Sequence, residues 1–153
     1  MKKLTYIAMF FLFITHVQAQ ELTWHTDVNK ASEIAVKNKK PLLLFFTGSD
    51  WCGWCIRLQK EVFTQAEFIA WAKEKVVLVD LDFPRRKQLS PELTKQNNEL
   101  QQLFGVRGYP TVWFVKPTMV DKKVSLDRLG STGYVAGGPQ AWLSNANSII
   151  DKK

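Results

Sequence analysis

The sequence predicts an α/β fold in which a central mixed β-sheet is flanked by helices. Continuous apolar runs at Leu42–Phe46 and Val76–Val79 are typical of strands that are covered on both faces, as in a parallel sheet. Segments with helical periodicity alternate with these runs, which indicates strand–helix–strand units. The 153 residues suit one domain with a sizeable core, and no internal repeat or low-complexity tract interrupts them.

Local signals place the elements of the first half. Asp27 is a predicted N-cap for a helix that runs to about Asn38, before the first buried strand. A second helix is expected to begin near Cys52. Thr64 and Glu67 have the spacing of a capping box, which predicts a helix start ahead of the strand at Val76–Val79.

The second half begins with another capped helix. Ser90 supplies a hydroxyl cap and Pro91 suits the first turn, so we expect a helix that ends towards Gly105. The remaining predictions are an antiparallel hairpin and a last helix: Thr111–Val115 and Val124–Leu129, joined by a turn-rich Lys116–Lys123 segment, and Pro139–Ile150.

The first nineteen residues differ from the rest. Lys2 and Lys3 precede an apolar run from Leu4 to Ile14, and Val17-Gln18-Ala19 has the small residues of a cleavage site. We therefore predict a signal peptide at 1–19, a single domain at 20–153, and a periplasmic or secreted location. The alternative, a retained membrane anchor, is disfavoured because the run is shorter than the ~20 apolar residues of a spanning helix.

Charge argues against a nucleic-acid partner. Without Lys2 and Lys3 the basic residues fall from 21 to 19 against 14 acidic ones, so the net charge falls from +7 to +5. The basic residues are scattered, and no nucleic-acid-binding motif accompanies them. We interpret them as a solvated surface.

Cys52 and Cys55 are the only cysteines, and three interpretations apply to them. A zinc site needs three or four ligands, and the mature chain adds only His25, so no metal is predicted. A structural disulfide closing so short a loop would stabilise the fold weakly. A C-x-x-C pair after a strand is typical of a redox pair, which is the interpretation we favour.

The predicted helix gives the two cysteines different environments. Cys52 falls near the helix start, where unpaired N–H groups and the helix dipole favour its thiolate, so it is the predicted nucleophile. Cys55 shares one helix face with Leu58 and Val62, so we expect it to be buried and to resolve the mixed disulfide.

Two separated motifs, W-C-G-W-C at 51–55 and G-V-R-G-Y-P-T at 105–111, resemble those of the thioredoxin superfamily. The chain looks most similar to exported bacterial thioredoxin-like proteins with a D-W-C-x-W-C site. The resemblance extends from about Trp24 to Ile150 and implies the thioredoxin fold. It also implies that Pro110 is cis beside the cysteines, and that the backbone at Tyr109 binds an extended substrate.

The predicted substrate-binding residues follow from this resemblance: Trp51, Gly53, Trp54, Tyr109 and Pro110. Trp51 is expected to pack beside the site, whereas Trp54 should be partly exposed and offer an apolar contact to a peptide. Asp50 is expected either to orient Trp51 or to solvate the loop.

Two features depart from thioredoxin. Thioredoxin has a buried aspartate six residues before its first cysteine and a lysine that interacts with it. The corresponding positions here are Phe46 and Leu78. Glu61, Asp80 or water remain open as the proton acceptor for Cys55. The 83–98 segment is also longer than in thioredoxin, and we interpret it as a solvated loop and helix turn.

The predicted function is an extracytoplasmic thiol–disulfide oxidoreductase that exchanges with protein substrates through Cys52 and Cys55, as a reductant or isomerase more than a primary oxidant. The direction follows because no cation lies between the cysteines to lower the thiolate pKa deeply. The expected partners are protein thiols and disulfides and a membrane electron donor, with no cofactor and a monomeric state. The alternative is a peptide-binding or chaperone-like module with an inert disulfide.

Overall fold

The computed structural model describes residues 22–121 and 123–152. The strands are β1 (Trp24–His25), β2 (Leu42–Thr47), β3 (Val77–Asp82), β4 (Thr111–Val120) and β5 (Lys123–Thr132). The α-helices are α1 (Val28–Asn38), α2 (Gly53–Leu58), α3 (Ala66–Lys75), α4 (Pro91–Leu103) and α5 (Gly138–Ile150), and a π-helical turn (Gln59–Phe63) follows α2. The predicted signal peptide lies outside the described residues.

The five strands form one mixed sheet in the order β1-β3-β2-β4-β5. β3 runs parallel to β1 and β2, whereas β4 is antiparallel to both β2 and β5. Helices cover both faces of the sheet, so the predicted α/β class and mixed sheet are confirmed. β2 is buried along its whole length, which explains its continuous apolar sequence.

The core is divided by the sheet into two layers. Alternate residues of β2 enter different layers: Leu43 and Phe45 face the layer that contains both cysteines and Trp142. Leu42, Leu44 and Phe46 face the other layer, which is closed by α1 and α4. The redox motif follows β2 directly, so its position is fixed by a buried strand.

Two predicted helix starts are confirmed. The Asp27 carboxylate accepts hydrogen bonds from the N–H groups of Asn29 and Lys30, at 2.9 and 3.1 Å. The Ser90 hydroxyl accepts one from the N–H of Leu93, at 3.3 Å. These short polar side chains satisfy N–H groups that lack a partner within the helix.

The predicted capping box at Thr64 and Glu67 is wrong. Helix α3 begins at Ala66 after Gln65, whose side chain makes no capping hydrogen bond. The Thr64 hydroxyl donates instead to the carbonyl of Lys60, at 3.1 Å, because it ends the π-helical turn that precedes α3.

The hairpin is longer than the sequence predicts. The segment expected to be a turn is mostly strand, since β4 continues to Val120 and β5 begins at Lys123. Pro117 is tolerated because, among the described residues, this part of β4 pairs with β5 alone, so its other edge needs no N–H donor. Within the described part of the chain, no helix is long and apolar enough to cross a membrane.

Candidate active site

Cys52 and Cys55 are joined by a disulfide at the junction between β2 and α2. The S–S distance is 2.07 Å and the Cα atoms are 5.2 Å apart. Cys55 is fully buried and Cys52 keeps 6% of its surface exposed. Cys55 shares its buried face with Leu58 and Val62, as the helical spacing predicts. Of the two sulfur-bearing residues, Cys52 is therefore the one nearer to solvent.

Cys52 is the N-cap residue of α2. Its backbone is extended, and its Sγ accepts a hydrogen bond from the N–H of Cys55 at 3.2 Å. Its carbonyl oxygen accepts from the N–H groups of Cys55 and Ile56. When the disulfide is reduced, an N–H directed at this sulfur stabilises the thiolate over the thiol.

The second motif lies against the first through Tyr109. The Tyr109–Pro110 peptide bond is cis. The ring of Tyr109 meets Trp51 edge-on with the centroids 5.7 Å apart, and its hydroxyl accepts a hydrogen bond from Gln101 at 2.8 Å. Burial raises the pKa of Tyr109. Helix α4 thus helps to hold the loop that carries Pro110.

Trp51 is held on several sides. Its Nε1 donates a hydrogen bond to the carbonyl of Phe83 at 2.8 Å. The guanidinium carbon of Arg85 lies 3.8 Å from the ring centroid, within cation–π distance. Gly48 lies so close beneath the ring that a Cβ atom there would be 2.4 Å from a ring carbon. A side chain at position 48 would displace the ring.

Asp50 ties the motif to the loop that follows β3. Its carboxylate accepts hydrogen bonds from the backbone N–H groups of Arg85 (3.0 Å) and Arg86 (2.7 Å). The N–H of Arg85 is the main reason that the pKa of Asp50 lies below its usual range. Of the two expected roles, solvating the loop and orienting Trp51, the contacts match a positioning role, because they hold Arg85 over the Trp51 ring.

Trp54 lies on the opposite side of the cysteine pair and is 56% exposed. Its ring is 5.1 Å from that of Tyr134, and the guanidinium carbon of Arg57 lies 5.2 Å from its centroid. Arg57 is bound to Glu61 at 2.6 Å. Gly53, between Cys52 and Trp54, has open space where a Cβ would lie.

Tyr134 is a site residue that sequence reasoning missed. Its hydroxyl donates a hydrogen bond to the Glu61 carboxylate at 2.5 Å, across 73 residues of sequence. This bond, and after it the bond from Arg57, lowers the pKa of Glu61. Tyr134 belongs to no motif and follows β5, so only the packing of the hairpin against α2 reveals it.

The face of β2 that looks towards Cys55 carries Phe45 and Thr47, because Phe46 lies on the opposite face. Phe46, which the resemblance matches to the buried aspartate of thioredoxin, therefore supplies an apolar ring to the layer that does not contain the cysteines. Asp80 shares a cavity of about 210 Å³ with Phe45 and Gln59. Burial, and secondarily the charge of Asp82, raises the pKa of Asp80 to about 6.

The 83–98 segment lies beside the site. Asp82, at the end of β3, accepts hydrogen bonds from the N–H and hydroxyl of Ser49 at 2.9 and 2.7 Å and pairs with Lys87 at 2.9 Å. An open groove of about 650 Å³ lies between this ion pair and the start of α4. The segment predicted as a solvated loop therefore also anchors the redox turn.

The structure therefore brings Cys52, Cys55, Trp51 and Tyr109 together, and leaves Trp54 on the outer side of the pair. In residues 22–121 and 123–152, no group of three or more histidine, cysteine or acidic side chains is arranged to hold a metal ion.

Comparison with known proteins agrees with this geometry. A family model described as a thioredoxin-like domain matches residues 28–120. The disulfide bond reductase DsbH of Chlamydia pneumoniae is 31% identical over 134 residues, which cover 88% of this chain and 76% of that protein. A solved structure of a DsbH oxidoreductase aligns with a TM-score of 0.76 and 29% identity, over 96% of each chain.

A second relative is longer than this chain. The thioredoxin-related protein DsbJ of Chlamydia pneumoniae is 28% identical over 119 residues, which are 78% of this chain and 33% of DsbJ. The chain thus spans about a third of that relative. The family match, the fold and the cysteine pair lead to one conclusion: this chain belongs to the thioredoxin-like domain family and is a thiol–disulfide oxidoreductase.

Proposed function

We propose that the protein reduces disulfides of exported proteins, with Cys52 as the nucleophile and Cys55 as the resolving residue. The observation that carries this assignment is the difference between the two sulfurs. Cys52 caps α2, receives an N–H and retains solvent contact, whereas Cys55 is fully buried one turn along. A partner disulfide can reach Cys52 first, and the sulfur stabilised as a thiolate attacks.

The reaction balances as two exchanges. The Cys52 thiolate attacks one sulfur of the substrate disulfide, and the other sulfur leaves as a thiolate that takes up a proton. Cys55 then loses its proton and attacks the Cys52 sulfur. This forms the Cys52–Cys55 disulfide and releases the second substrate thiolate. Two electrons pass from the protein to the substrate, so the structure, with its disulfide, is the product state.

The proposed substrate contacts are Trp51, Gly53, Trp54, Tyr109 and Pro110. Trp54 supports this proposal because it presents an exposed aromatic surface beside the cysteines. Gly53 leaves open space at the same point. An extended segment needs both an apolar contact and free backbone groups. Tyr109 lies against Trp51, and the carbonyl of Pro110 lies close to Gly133, which precedes the Tyr134 that packs on Trp54.

The reducing direction and the exported location are supported separately. The DsbH relative is named a disulfide bond reductase, which matches the direction expected from Gly53 and Trp54 between the cysteines. The apolar run and cleavage pattern of residues 1–19 support export. A reductant in an oxidising compartment must be reduced again, so we include a membrane electron donor as a partner.

The test compares Cys52→Ser and Cys55→Ser in the reduction of insulin disulfides. Cys52→Ser should abolish turnover. Cys55→Ser should accumulate mixed disulfides, because the intermediate at Cys52 lacks its resolving thiol. If Cys52→Ser retained full activity, or if only Cys52→Ser trapped partners, the assigned roles would be wrong.

A redox titration with glutathione tests the direction. We expect a potential nearer to the values of about −270 mV for thioredoxin and −180 mV for protein disulfide isomerase than to about −120 mV for a strong oxidant. A value at or above −120 mV would reverse the direction, and one below about −300 mV would favour an inert disulfide in a binding module.

A further inference from the structure

We propose that Arg85, Arg86 and Arg107 form a cationic surface beside Trp51 that binds an acidic segment of the substrate protein, next to the disulfide that Cys52 attacks. These three residues are called the arginine rim below. The inference rests on the proposed function, since it names the class of protein that the same site reduces.

The rim adjoins the nucleophile through Trp51. The guanidinium carbon of Arg85 lies 3.8 Å from the centroid of the Trp51 ring, and Trp51 directly precedes Cys52. Arg86 follows on the loop that Asp50 holds. Arg107 is two residues before Tyr109, whose ring meets that of Trp51 with the centroids 5.7 Å apart. Two separate loops that border Trp51 thus carry three exposed arginines.

The charges of the rim are not neutralised by ion pairs. In the part of the chain that the structure describes, the ion pairs join other residues, such as Arg57 with Glu61 and Lys87 with Asp82. The Asp50 carboxylate accepts the backbone N–H groups of this loop and attracts Arg86 by its charge, without an ion pair to either guanidinium in the described structure. The guanidinium groups of Arg85 and Arg86 therefore remain available to an incoming anion.

The opposite side of the cysteine pair differs. Arg57 covers Trp54 in a similar way, but it is bound to Glu61, whose lowered pKa keeps it ionised at neutral pH. Within the described residues, exposed guanidinium groups without a carboxylate partner therefore lie on the Trp51 side. Exposed positive charge of this kind raises the rate at which an acidic partner arrives and fixes its orientation. Arginine also binds carboxylates in a bidentate geometry, which favours acidic side chains as the occupant.

The experiment measures kcat/KM for three cyclic disulfide peptides that have the same cysteine spacing but Asp, Asn or Lys flanks. For the full chain in its dithiol form, we expect the Asp peptide to react roughly tenfold faster than the Asn peptide at low ionic strength. The advantage should shrink as salt is added, because exposed charges are screened. The double variant Arg85→Gln/Arg86→Gln should bring the Asp-to-Asn ratio close to one.

The matched control is Lys37→Gln/Lys75→Gln, which also removes two positive charges. These exposed lysines lie in the last turns of α1 and α3, which precede β2 and β3. They are therefore at the end of these strands that is opposite to the cysteines, and the Asp-to-Asn ratio should not change. Equal loss of the ratio in the control and rim variants would overturn the proposal, as would equal rates for the Asp and Lys peptides.

A binding measurement separates this inference from the proposed function. The oxidised protein is titrated with an Asp peptide whose own cysteines are replaced by serine. This measurement therefore needs no electron transfer. Salt-sensitive binding that Arg85→Gln/Arg86→Gln removes would support the rim even if reduction failed. Rim-dependent binding to vesicles of equal phosphatidylglycerol and phosphatidylcholine, without binding of the Asp peptide, would overturn it in favour of a membrane surface.

Discussion

The two tryptophans of the redox motif are held in different ways. Trp51 is partly buried, donates a hydrogen bond to the carbonyl of Phe83, and meets Tyr109 edge-on. Trp54 is 56% exposed and meets Tyr134 at a ring distance of 5.1 Å. The Trp51 side is therefore fixed by the protein, whereas the Trp54 side remains open to a partner.

This difference indicates a division of roles around one pair of cysteines. A disulfide exchange needs the attacking sulfur to be positioned accurately, and a fixed Trp51 provides a rigid wall beside Cys52. Exchange with a protein substrate also needs a surface that contacts the substrate chain, and an exposed aromatic ring provides one. The largest difference in stability between the two sides should appear when each tryptophan is replaced by alanine.

Trp51→Ala should destabilise the protein by about 3 kcal/mol, because it removes a packed ring and leaves the carbonyl of Phe83 without its donor. Trp54→Ala should cost less than about 1 kcal/mol, since its ring is mostly in solvent. Urea unfolding of the oxidised proteins gives both values. Equal costs for the two variants would contradict the distinction between a fixed and an open side.

Gly48 and Gly53 offer a second matched pair of variants, for which we expect smaller changes in the free energy of unfolding. Gly48→Ala places a methyl group against the Trp51 ring and should destabilise by about 1–3 kcal/mol, the usual range for overpacking. Gly53→Ala meets open space in the first turn of α2 and should be neutral or stabilising by up to about 1 kcal/mol. A destabilised Gly53→Ala would show that the Trp54 side is as constrained as the Trp51 side.

The sequence predicted local features on both sides of the cysteine pair, including the partial exposure of Trp54. The C-x-x-C spacing and the boundary between strand and helix are local signals, and they sufficed to place Cys52 at the N-cap and Cys55 on the buried face. The expectation that the second motif lies beside the first followed from the resemblance to the thioredoxin superfamily, and the contact between Tyr109 and Trp51 agrees with it. Local spacing and turn chemistry fix such positions because they depend on few neighbouring residues.

Long-range contacts could not be predicted from local spacing and turn chemistry. Tyr134 reaches Glu61 across 73 residues, and the position of its hydroxyl depends on how the hairpin packs against α2. Arg85 lies over Trp51 only because Asp50 binds the backbone of its loop.

The role of Asp50 can be tested by limited proteolysis with trypsin. Asp50→Asn weakens the acceptor of the N–H groups at Arg85 and Arg86, so this loop should open more often and be cleaved several-fold faster after these arginines. The isosteric control is Glu61→Gln on the Trp54 side, which should leave this cleavage rate unchanged. Mass spectrometry of the fragments identifies the cut. Equal acceleration by both variants would mean that the two sides are coupled.

The smallest expected effect is in the titration of Glu61. The Tyr134 hydroxyl is the main cause of its lowered pKa, ahead of Arg57, so Tyr134→Phe should raise the pKa of Glu61 towards 4.5. Carboxyl carbon NMR measures this shift. Tyr109→Phe is the control, because the Tyr109 hydroxyl bonds Gln101 on the other side and should leave Glu61 unaffected.

The same interaction sets the sign of the pH dependence on the Trp54 side. A carboxyl whose folded pKa is lowered stabilises the fold above its unfolded pKa, and this contribution is lost as the pH falls through the folded value. The bonds of Glu61 should therefore be intact at neutral pH and weaken only below about pH 4.5. In Tyr134→Phe the loss should begin at higher pH, while the hydrogen bond from Trp51 to the carbonyl of Phe83 persists, because this bond involves no ionisable group. If acid released Trp51 and Trp54 together, the two sides would form one cooperative unit.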